Sequence, residues 1–204
     1  MAELKDTYKT IDTPAKGELF KDRGSKFYGY TYPISSEDEV KPIIEQLKKE
    51  HHTARHWCYA WQLGTDKIRY RANDDGEPSN SAGPPIYGQI QAFDVTNILV
   101  VVVRYFGGTK LGVGGLMNAN KTGSKLALEA SEIIEKTIDR VFQITFQYKD
   151  MNKVMRIVKE KQLNITHQKL ELDCQYTIPV RKKNADQIFE IFTNMFGITI
   201  KELD

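Results

Sequence analysis

The segment ILVVVVRYFGGTKLGVGGL, residues 98–116, decides most of the fold. Its first six residues, Ile98–Val103, are an unbroken apolar run rich in valine, which is typical of a buried β-strand. A loop with five glycines follows over residues 105–115, and we predict a long helix over residues 116–135. A buried strand that leads through a loop into a helix indicates a layer of helices packed on a sheet.

The residues before this segment predict further elements of the same layered domain. An aromatic-rich strand is predicted over residues 26–32, and a helix is indicated by apolar residues at helical spacing from Val40 to Leu47. A hairpin is predicted from residues 57–63 and 67–72, followed by a polar loop over residues 73–85 and a short helix to about residue 93. This part is therefore predicted to be an α/β sandwich.

The last third of the chain has a different pattern. All but one glycine, Gly197, and all but one proline, Pro179, precede residue 135. Strands are predicted over residues 140–147, 164–166, 170–180 and 198–201, and helices over residues 151–161 and 184–196. The resulting β-α-β-β-α-β order is that of the ferredoxin-like fold. We therefore predict an α+β protein with two domains, residues 1–135 and 136–204.

Composition excludes several classes of protein. The chain has 204 residues, of which 40% are hydrophobic and 27% charged, and its formal net charge is +2. It is therefore globular and not a polycation that binds nucleic acid without a defined site. Its apolar runs are too short for a membrane-spanning helix, its start has no apolar signal segment, and Cys58 and Cys174 are far apart in sequence. We expect a cytoplasmic protein with free thiols, no membrane contact and no cofactor.

An acidic loop is the first candidate site. Asp74, Asp75 and Glu77 lie within the sequence DDGEP, in a segment that three prolines stiffen. These carboxylates could hold a divalent cation, position a basic partner or act as acid and base. The pattern does not match a known calcium-binding loop, so we predict no metal site and keep the three carboxylates only as candidate ligands. The alternative is a turn whose aspartates accept backbone N–H bonds and cap the next helix.

The glycine-rich loop is the second candidate, and we interpret it as an anion cradle. Exposed backbone amides, two cations and a helix N-terminus could together bind a phosphate or a nucleic-acid backbone. The spacing fits neither a Walker loop nor a dinucleotide fingerprint. The alternative is that the glycines only permit a tight connection between strand and helix. The predicted anion-binding or nucleic-acid-binding residues are Arg104, Tyr105, Gly107, Gly108, Thr109, Lys110 and Gly112.

The segment HHTARHWCYAW, residues 51–61, is the third candidate. At a spacing of two, His56 and Cys58 share one face of a strand, whereas Trp57, Tyr59 and Trp61 share the other. A Cys/His pair could act as a nucleophile and its base, but a buried thiol beside a bonded imidazole explains the pattern more simply. The aromatic residues could stack on bases or form sheet core.

Three motifs give the chain a family resemblance. They are ARHWCYA at residues 54–60, DDGEP at residues 74–78 with Ala82-Gly83 after it, and VVVRYFGGTKLG at residues 101–112. Their order and spacing resemble those of the IMPACT/YigZ family, over essentially the whole chain. The resemblance implies a first domain like the second domain of ribosomal protein S-five and a second domain like domain V of elongation factor G. Both of those relatives work on the ribosome, so it implies a role in translation.

The chain departs from the family pattern at several positions. Arg55 and Trp57 flank the matching His56 and Cys58 where the family usually has Thr and Asn, and Asn80-Ser81 stand in place of Gly-Thr. In the helix after the glycine loop, Asn118 and Asn120 stand where the family usually has Arg and Tyr, which removes one cation near the predicted anion cradle.

These observations lead to one main functional hypothesis and two alternatives. The main hypothesis is a non-enzymatic protein that binds RNA or the ribosome and modulates translation. The first alternative is a hydrolase-like enzyme that uses the acidic loop with His56, Cys58 or Lys110 on a small anionic or peptide-like substrate. The second is a protein-interaction module anchored by exposed Tyr105 and Phe106.

Overall fold

The computed structural model describes residues 5–203, which divide into two units. One unit is Tyr8–Lys136, and the other runs from Thr137 onward together with the N-terminal residues through Thr7. No helix of the described residues is long and apolar enough to cross a lipid bilayer. Mixed helices and strands make up both units, so the predicted α+β class is confirmed.

The described residues of the first two thirds of the chain form eight strands and three helices. The strands are β1 (Thr7–Ile11), β2 (Ala15–Lys16), β3 (Phe20–Asp22), β4 (Ser25–Pro33), β5 (His56–Leu63), β6 (Arg69–Asn73), β7 (Ile98–Tyr105) and β8 (Ile133–Thr137). The helices are α1 (Val40–Glu50), α2 (Gly83–Ala92) and α3 (Gly112–Glu129). A short 3₁₀ turn, Glu37–Glu39, precedes α1.

Strand β7 is the centre of the main sheet. The sheet has the order β2-β4-β7-β5-β6, with β3 also paired to β4, and β7 pairs antiparallel with both of its neighbours. Every residue of Ile98–Val103 is 0% exposed, as the apolar run predicts. Val100 and Val102 face the core that includes α2 and α3, whereas Val101 and Val103 face the α1 side. Each buried side chain of this kind contributes about 1.5–3 kcal/mol.

From residue 137 to residue 203, the second unit has four strands and two helices in the predicted order. They are β9 (Asp139–Gln147), α4 (Met151–Glu160), β10 (His167–Lys169), β11 (Asp173–Arg181), α5 (Lys182–Thr193) and β12 (Ile198–Leu203). A second 3₁₀ turn, Tyr148–Asp150, precedes α4. The sheet order is β10-β11-β9-β12, with every pair antiparallel, and this is the ferredoxin-like arrangement. Its apolar core includes Phe142, Ile144 and Phe192.

Several predicted boundaries were wrong. The long helix was predicted over residues 116–135, but it begins four residues earlier, at Gly112, and ends at Glu129. Ile133–Thr137 instead forms β8, which pairs with β1 in a separate two-stranded sheet. The β-branched residues of this segment fit a strand better than a helix end. The short strand predicted over residues 164–166 lies at His167–Lys169. The strand predicted from residue 170 begins at Asp173, and the helix predicted over residues 184–196 is Lys182–Thr193.

Two glycines allow α3 to approach the sheet closely. A Cβ atom placed on Gly29 in β4 would lie 2.1 Å from the carbonyl oxygen of Gly123 in α3. A Cβ on Gly123 itself would lie 3.3 Å from a methyl group of Val102. The distance between α3 and the sheet is therefore set by the absence of a side chain at residue 29.

Gly29→Ala should destabilise the protein by about 1–3 kcal/mol, because the new methyl group overlaps backbone that cannot move without shifting α3. The measurement is the free energy of unfolding in urea. Gly88→Ala is the matched control, since a Cβ there meets nothing within 4 Å and the residue lies inside α2. It should be neutral or stabilising by up to about 1 kcal/mol. Equal effects of the two substitutions would contradict this packing argument.

Candidate functional site

A cleft of about 410 Å³ opens on the first unit, where the three predicted motifs meet. Its lining comes from the start of β5, from the acidic loop and from the glycine loop with the first turn of α3. The lining residues are Arg55, His56, Gly76, Glu77, Pro78, Arg104, Phe106, Lys110, Leu111, Gly112, Val113 and Leu116.

Strand register explains why these motifs converge. His56 lies opposite Arg104 in the pairing of β5 with β7, so the imidazole lies beside the point where β7 leaves the sheet. Just before β5, the backbone N–H of Arg55 donates to the carbonyl oxygen of Arg104 at 3.0 Å, which ties the two chain segments together. The convergence of His56 with the two loops is thus a consequence of one antiparallel pairing.

A buried ion pair forms the floor of the cleft. A guanidinium nitrogen of Arg104 lies 2.7 Å from Oε1 of Glu77, and the two side chains are only 6% and 1% exposed. The other terminal nitrogen of Arg104 is 3.4 Å from Oγ of Ser25. Taking two charges out of water is costly, and removing one partner of such a pair costs about 3–5 kcal/mol. Arg104 was predicted to bind an anion, but its guanidinium is already engaged.

His56 is held in a defined tautomer beside this ion pair. Its Nδ1 lies 2.8 Å from the backbone carbonyl oxygen of Asp75. A carbonyl oxygen only accepts hydrogen bonds, so Nδ1 carries the proton. Nε2 then points toward Oε1 of Glu77 at 3.9 Å, with the imidazole 23% exposed.

Both aspartates of the acidic loop have structural tasks. The carboxylate of Asp74 accepts from the backbone N–H groups of Asn80, Ala82 and Gly83, at 2.8, 2.9 and 2.8 Å, and thereby caps the start of α2. The carboxylate of Asp75 accepts from the backbone N–H of Trp57 at 2.7 Å. The helix-capping alternative is therefore confirmed. Among the described residues, no group of three or more His, Cys, Asp or Glu side chains could hold a metal ion, and Asp74, Asp75 and Glu77 each face different partners.

Cys58 is a buried thiol without access to the cleft. It is 0% exposed, and its S–H donates to the backbone carbonyl oxygen of Asp74 at 3.0 Å. Burial, reinforced by the nearby carboxylates of the acidic loop, raises the pKa of the Cys58 thiol far above its usual range. Burial therefore disfavours a nucleophilic role for Cys58 at neutral pH, because the reactive form of cysteine is the thiolate.

The glycine loop divides into a packed part and an open part. Gly107 packs against the turn at Gly24, and its N–H donates to Oγ of Ser25 at 3.2 Å. By contrast, Gly108 and Gly112 have φ angles of +87° and +73°, and an added Cβ at either would meet nothing within 4 Å. Thr109 and Lys110 between them are exposed. Of the predicted anion-binding residues, Arg104, Lys110 and Gly112 line the cleft.

The aromatic residues at the end of β7, Tyr105 and Phe106, are half-buried. The hydroxyl of Tyr105 is 2.8 Å from Nδ1 of His51, and its ring packs on Tyr28 on the α1 side of the sheet. Phe106 lines the cleft, with the guanidinium of Arg55 4.9 Å from its ring centroid and that of Arg104 5.6 Å from it. Neither residue is the exposed anchor that the protein-interaction alternative requires.

The aromatic stripe of β5 belongs to the core. Trp61 is 4% exposed, and Nε1 of Trp57 donates to the carbonyl oxygen of Leu47 in α1 at 3.3 Å. Packing against α1 therefore accounts for the stripe without bases stacked on it.

Sequence reasoning did not assign Arg55 to the site. It lines the cleft and is exposed, and within residues 5–203 neither Arg55 nor Lys110 has an acidic partner at ion-pair distance. The available signal was its place directly before His56, in a motif that already held two candidate residues.

Comparisons with known proteins agree with the resemblance seen in the motifs. The protein-family model of the Impact N-terminal domain matches residues 23–128 of this sequence. The IMPACT family member YvyE of Bacillus subtilis is 28% identical over 93% of this chain and 87% of its own. The IMPACT family member YigZ of Escherichia coli is 40% identical over 49% of this chain and 50% of its own. A crystal structure of a hypothetical protein matches 98% of this chain and 99% of its own, with a TM-score of 0.73 and 22% identity.

Asp74→Ala should lower the free energy of unfolding by about 2 kcal/mol, because three backbone N–H groups at the start of α2 lose their acceptor. Urea unfolding checks this value. Asp38→Ala serves as the control, since that side chain is exposed in the turn before α1. It should change stability by no more than about 0.5 kcal/mol. A similar loss in both variants would show that charge alone, and not the cap, is responsible.

The native protein should not react with iodoacetamide at pH 8.5 on the timescale of minutes. Cys58 and Cys174 are both buried, and the pKa of Cys58 is raised, so little thiolate is present. In urea both thiols should become alkylated, because an exposed cysteine is about half ionised at this pH. Mass spectrometry of the intact chain counts the labels. Rapid labelling of Cys58 in the folded protein would return it to the list of candidate nucleophiles.

Proposed function

The chain belongs to the family defined by the Impact N-terminal domain, and on this premise we propose that it is a non-enzymatic, RNA-binding regulator of translation. RNA, alone or within the ribosome, is its proposed partner, and the cleft of the first unit is the proposed contact. We place the protein in the cytoplasm, where such a partner is found.

The distribution of charge around the cleft carries this proposal. Arg55 and Lys110 are exposed at its rim, and within the described residues no carboxylate lies at ion-pair distance from either. Glu77 below them is neutralised by Arg104. Unpaired cations of this kind bind the phosphate oxygens of nucleic acid, and such contacts supply most of the affinity of a protein for nucleic acid.

Backbone groups add to the same rim. Helix α3 is 18 residues long and begins at Gly112, two residues after Lys110. Most of its first turn is exposed. No side-chain cap bonds to this helix start. A Cβ on Gly112 or Gly114 would meet nothing within 4 Å, so a phosphate could approach the free N–H groups of this turn.

The link to translation rests on the family and on its resemblances. The two domains resemble parts of ribosomal protein S-five and elongation factor G, which work on the ribosome. The ferredoxin-like order of the second unit is compatible with the second of these resemblances. Because fold alone does not determine function, the link needs a direct binding experiment.

One observation supports the enzyme alternative. His56 and Glu77 meet in a concave cleft with Lys110, as an acid/base site on a small anion would require. Against it, Cys58 is buried as the protonated thiol, and Asp74 and Asp75 are engaged by backbone N–H groups. A binding role uses the cleft without needing a nucleophile, so we favour it.

Replacing Arg55 and Lys110 together with alanine should weaken RNA binding about tenfold near 100 mM salt. The slope of log Kd against log salt concentration should fall by about 1.4 for a single-stranded RNA if each cation meets one phosphate. Fluorescence anisotropy with labelled ribosomal RNA fragments and pelleting with ribosomal subunits measure these values.

A double variant with Lys49→Ala and Lys121→Ala provides the matched control. It removes two exposed cations, one from α1 and one from α3, that lie outside the cleft lining and have no acidic partner at ion-pair distance within the described residues. Equal weakening by the two double variants would mean that RNA contacts charge in general and not the cleft. An unmodified protein that binds neither RNA nor ribosomal subunits at micromolar concentration would refute the proposal.

A further inference from the structure

We propose that Tyr70 is a stacking platform for one unpaired base of the bound RNA, at a site outside the cleft. This inference rests on the proposed function and adds to it a second contact, which selects single-stranded RNA. It follows from three features of strand β6: an exposed aromatic ring in a fixed orientation, a free sheet edge, and cations without acidic partners.

The ring of Tyr70 is both exposed and fixed in orientation. The residue is 59% exposed although it carries a large aromatic side chain. Its ring lies parallel to that of Tyr87 in α2, with 4.2 Å between the ring centroids and 10° between the planes. Tyr87 covers one face of the Tyr70 ring, so the remaining exposure belongs to the opposite face and the ring edges. A base on that open face extends an aromatic stack that is already present.

Tyr87 is itself anchored to the sheet, which keeps the platform rigid. Its hydroxyl donates to Oε1 of Gln62 in β5 at 3.0 Å, and Nε2 of Gln62 donates to the carbonyl oxygen of Val95 at 3.2 Å. Gln62 also lies directly opposite Tyr70 in the pairing of β5 with β6. A preorganised surface loses little conformational entropy when a base binds, so more of the stacking energy appears as affinity.

Strand β6 is the last strand of the main sheet and carries cations beside the ring. In the described structure it pairs with β5 alone, and residues 67–71, KIRYR, are all exposed. Within residues 5–203, Lys67 and Arg69 have no acidic partner at ion-pair distance. Arg71 lies 3.5 Å from a carboxylate oxygen of Glu37. Cations interleaved with an exposed aromatic residue are typical of proteins that bind single-stranded nucleic acid.

The alternation of side chains along β6 gives base and phosphate different places at this edge. Tyr70 lies on the α2 side of the sheet, whereas Arg69 leaves the strand on the other side. Since β6 ends the described sheet, a nucleic-acid backbone can run along its edge, where the Arg69 guanidinium reaches the phosphates. The base then turns to the α2 side and stacks on Tyr70.

The platform and the cleft lie on the same side of the sheet. Tyr87 beside the platform and Leu116 in the cleft pack against one hydrophobic core. Gln62, opposite Tyr70, is six residues along β5 from His56 of the cleft, so the two sites are about 20 Å apart along the strand. One RNA strand of several nucleotides can therefore contact both sites, whereas a single nucleotide cannot.

Stacking on Tyr70 also determines the class of RNA that binds. A stacked base needs a free face, and in a duplex both faces of an internal base are covered by its neighbours. Charge alone favours the duplex, because its phosphates are more densely spaced than those of a single strand. A preference for single-stranded RNA therefore reports the platform and not the cations.

The first test compares two forms of one RNA of about 12 nucleotides without self-complementary sequence, with the full unmodified chain as the binding protein. The labelled single strand should bind about tenfold more tightly than the same strand in a duplex. Fluorescence anisotropy at fixed salt gives the two dissociation constants. Equal or tighter binding of the duplex would overturn the platform.

Two substitutions locate the preference at Tyr70. Tyr70→Leu keeps an apolar side chain but removes the ring, so it should weaken binding of the single strand about tenfold. The slope of log Kd against log salt concentration should not change, since no cation is lost. Tyr70→Phe keeps the ring and should bind within about twofold of the unmodified chain. Urea unfolding establishes that both variants are folded, and the comparison of single strand with duplex needs neither of them.

Tyr148→Leu is the matched control. Tyr148 is 68% exposed in the turn before α4, and no ring contact is present for it among the described residues. This variant should bind the single strand as tightly as the unmodified chain. The platform is wrong if Tyr148→Leu and Tyr70→Leu weaken binding equally, or if Tyr70→Phe loses as much affinity as Tyr70→Leu.

The outcomes separate this inference from the proposed function. Salt-sensitive RNA binding that does not depend on the ring at residue 70 would overturn the platform and leave the proposed function intact. Absence of binding of the unmodified chain to any RNA or ribosomal subunit would remove both proposals together.

Discussion

The ion pair between Arg104 and Glu77 is the interaction on which the site depends. Arg104 is the first charged residue after six fully buried apolar residues of β7, and it ends the apolar run while still inside the sheet. A guanidinium in that position needs a buried acceptor, and the acidic loop supplies it through Glu77 at 2.7 Å. The loop is thereby held against the end of β7. As a result, Asp75 lies next to β5 and Asp74 next to α2. The ion pair thus holds the acidic loop against β7, β5 and α2.

The three carboxylates of the acidic loop have different protein partners, and this limits the chemistry of the cleft. Asp74 is saturated by three backbone N–H groups, and Asp75 accepts one from Trp57 while its carbonyl oxygen orients His56. Three carboxylates within four residues would suggest a cation site, because like charges in one place need a counter-ion. Here each charge is met by a different protein group, so no cation is required. Within the described residues, each of the three carboxylates thus has a protein partner, and the cations left for a ligand are Arg55 and Lys110 at the rim.

Sequence patterns predicted those parts of the molecule that depend on local periodicity. The buried strand at residues 98–103 and the order of the ferredoxin-like unit follow from apolar spacing alone, and both are present. Strand β8 was missed because its partner, β1, is more than a hundred residues away and leaves no local signal. The start of α3 was placed too late, since its first turn is mostly glycine and only the packing of the helix on β4 and β7 makes it helical. The convergence of His56 with the two loops needed the register of β5 on β7, which the sequence does not specify.

Burial divides the cations of the site into two groups that the sequence cannot distinguish. Arg104 and Lys110 are six positions apart in one motif, yet the first is 5% exposed and paired while the second is exposed and unpaired in the described structure. Only unpaired charge attracts a polyanion, because the field of a matched ion pair decays rapidly with distance. The net charge of +2 does not show this difference, because it counts the paired Arg104 and the unpaired Lys110 alike. A polyanion would therefore meet Arg55 and Lys110 at the rim and not Arg104 at the floor.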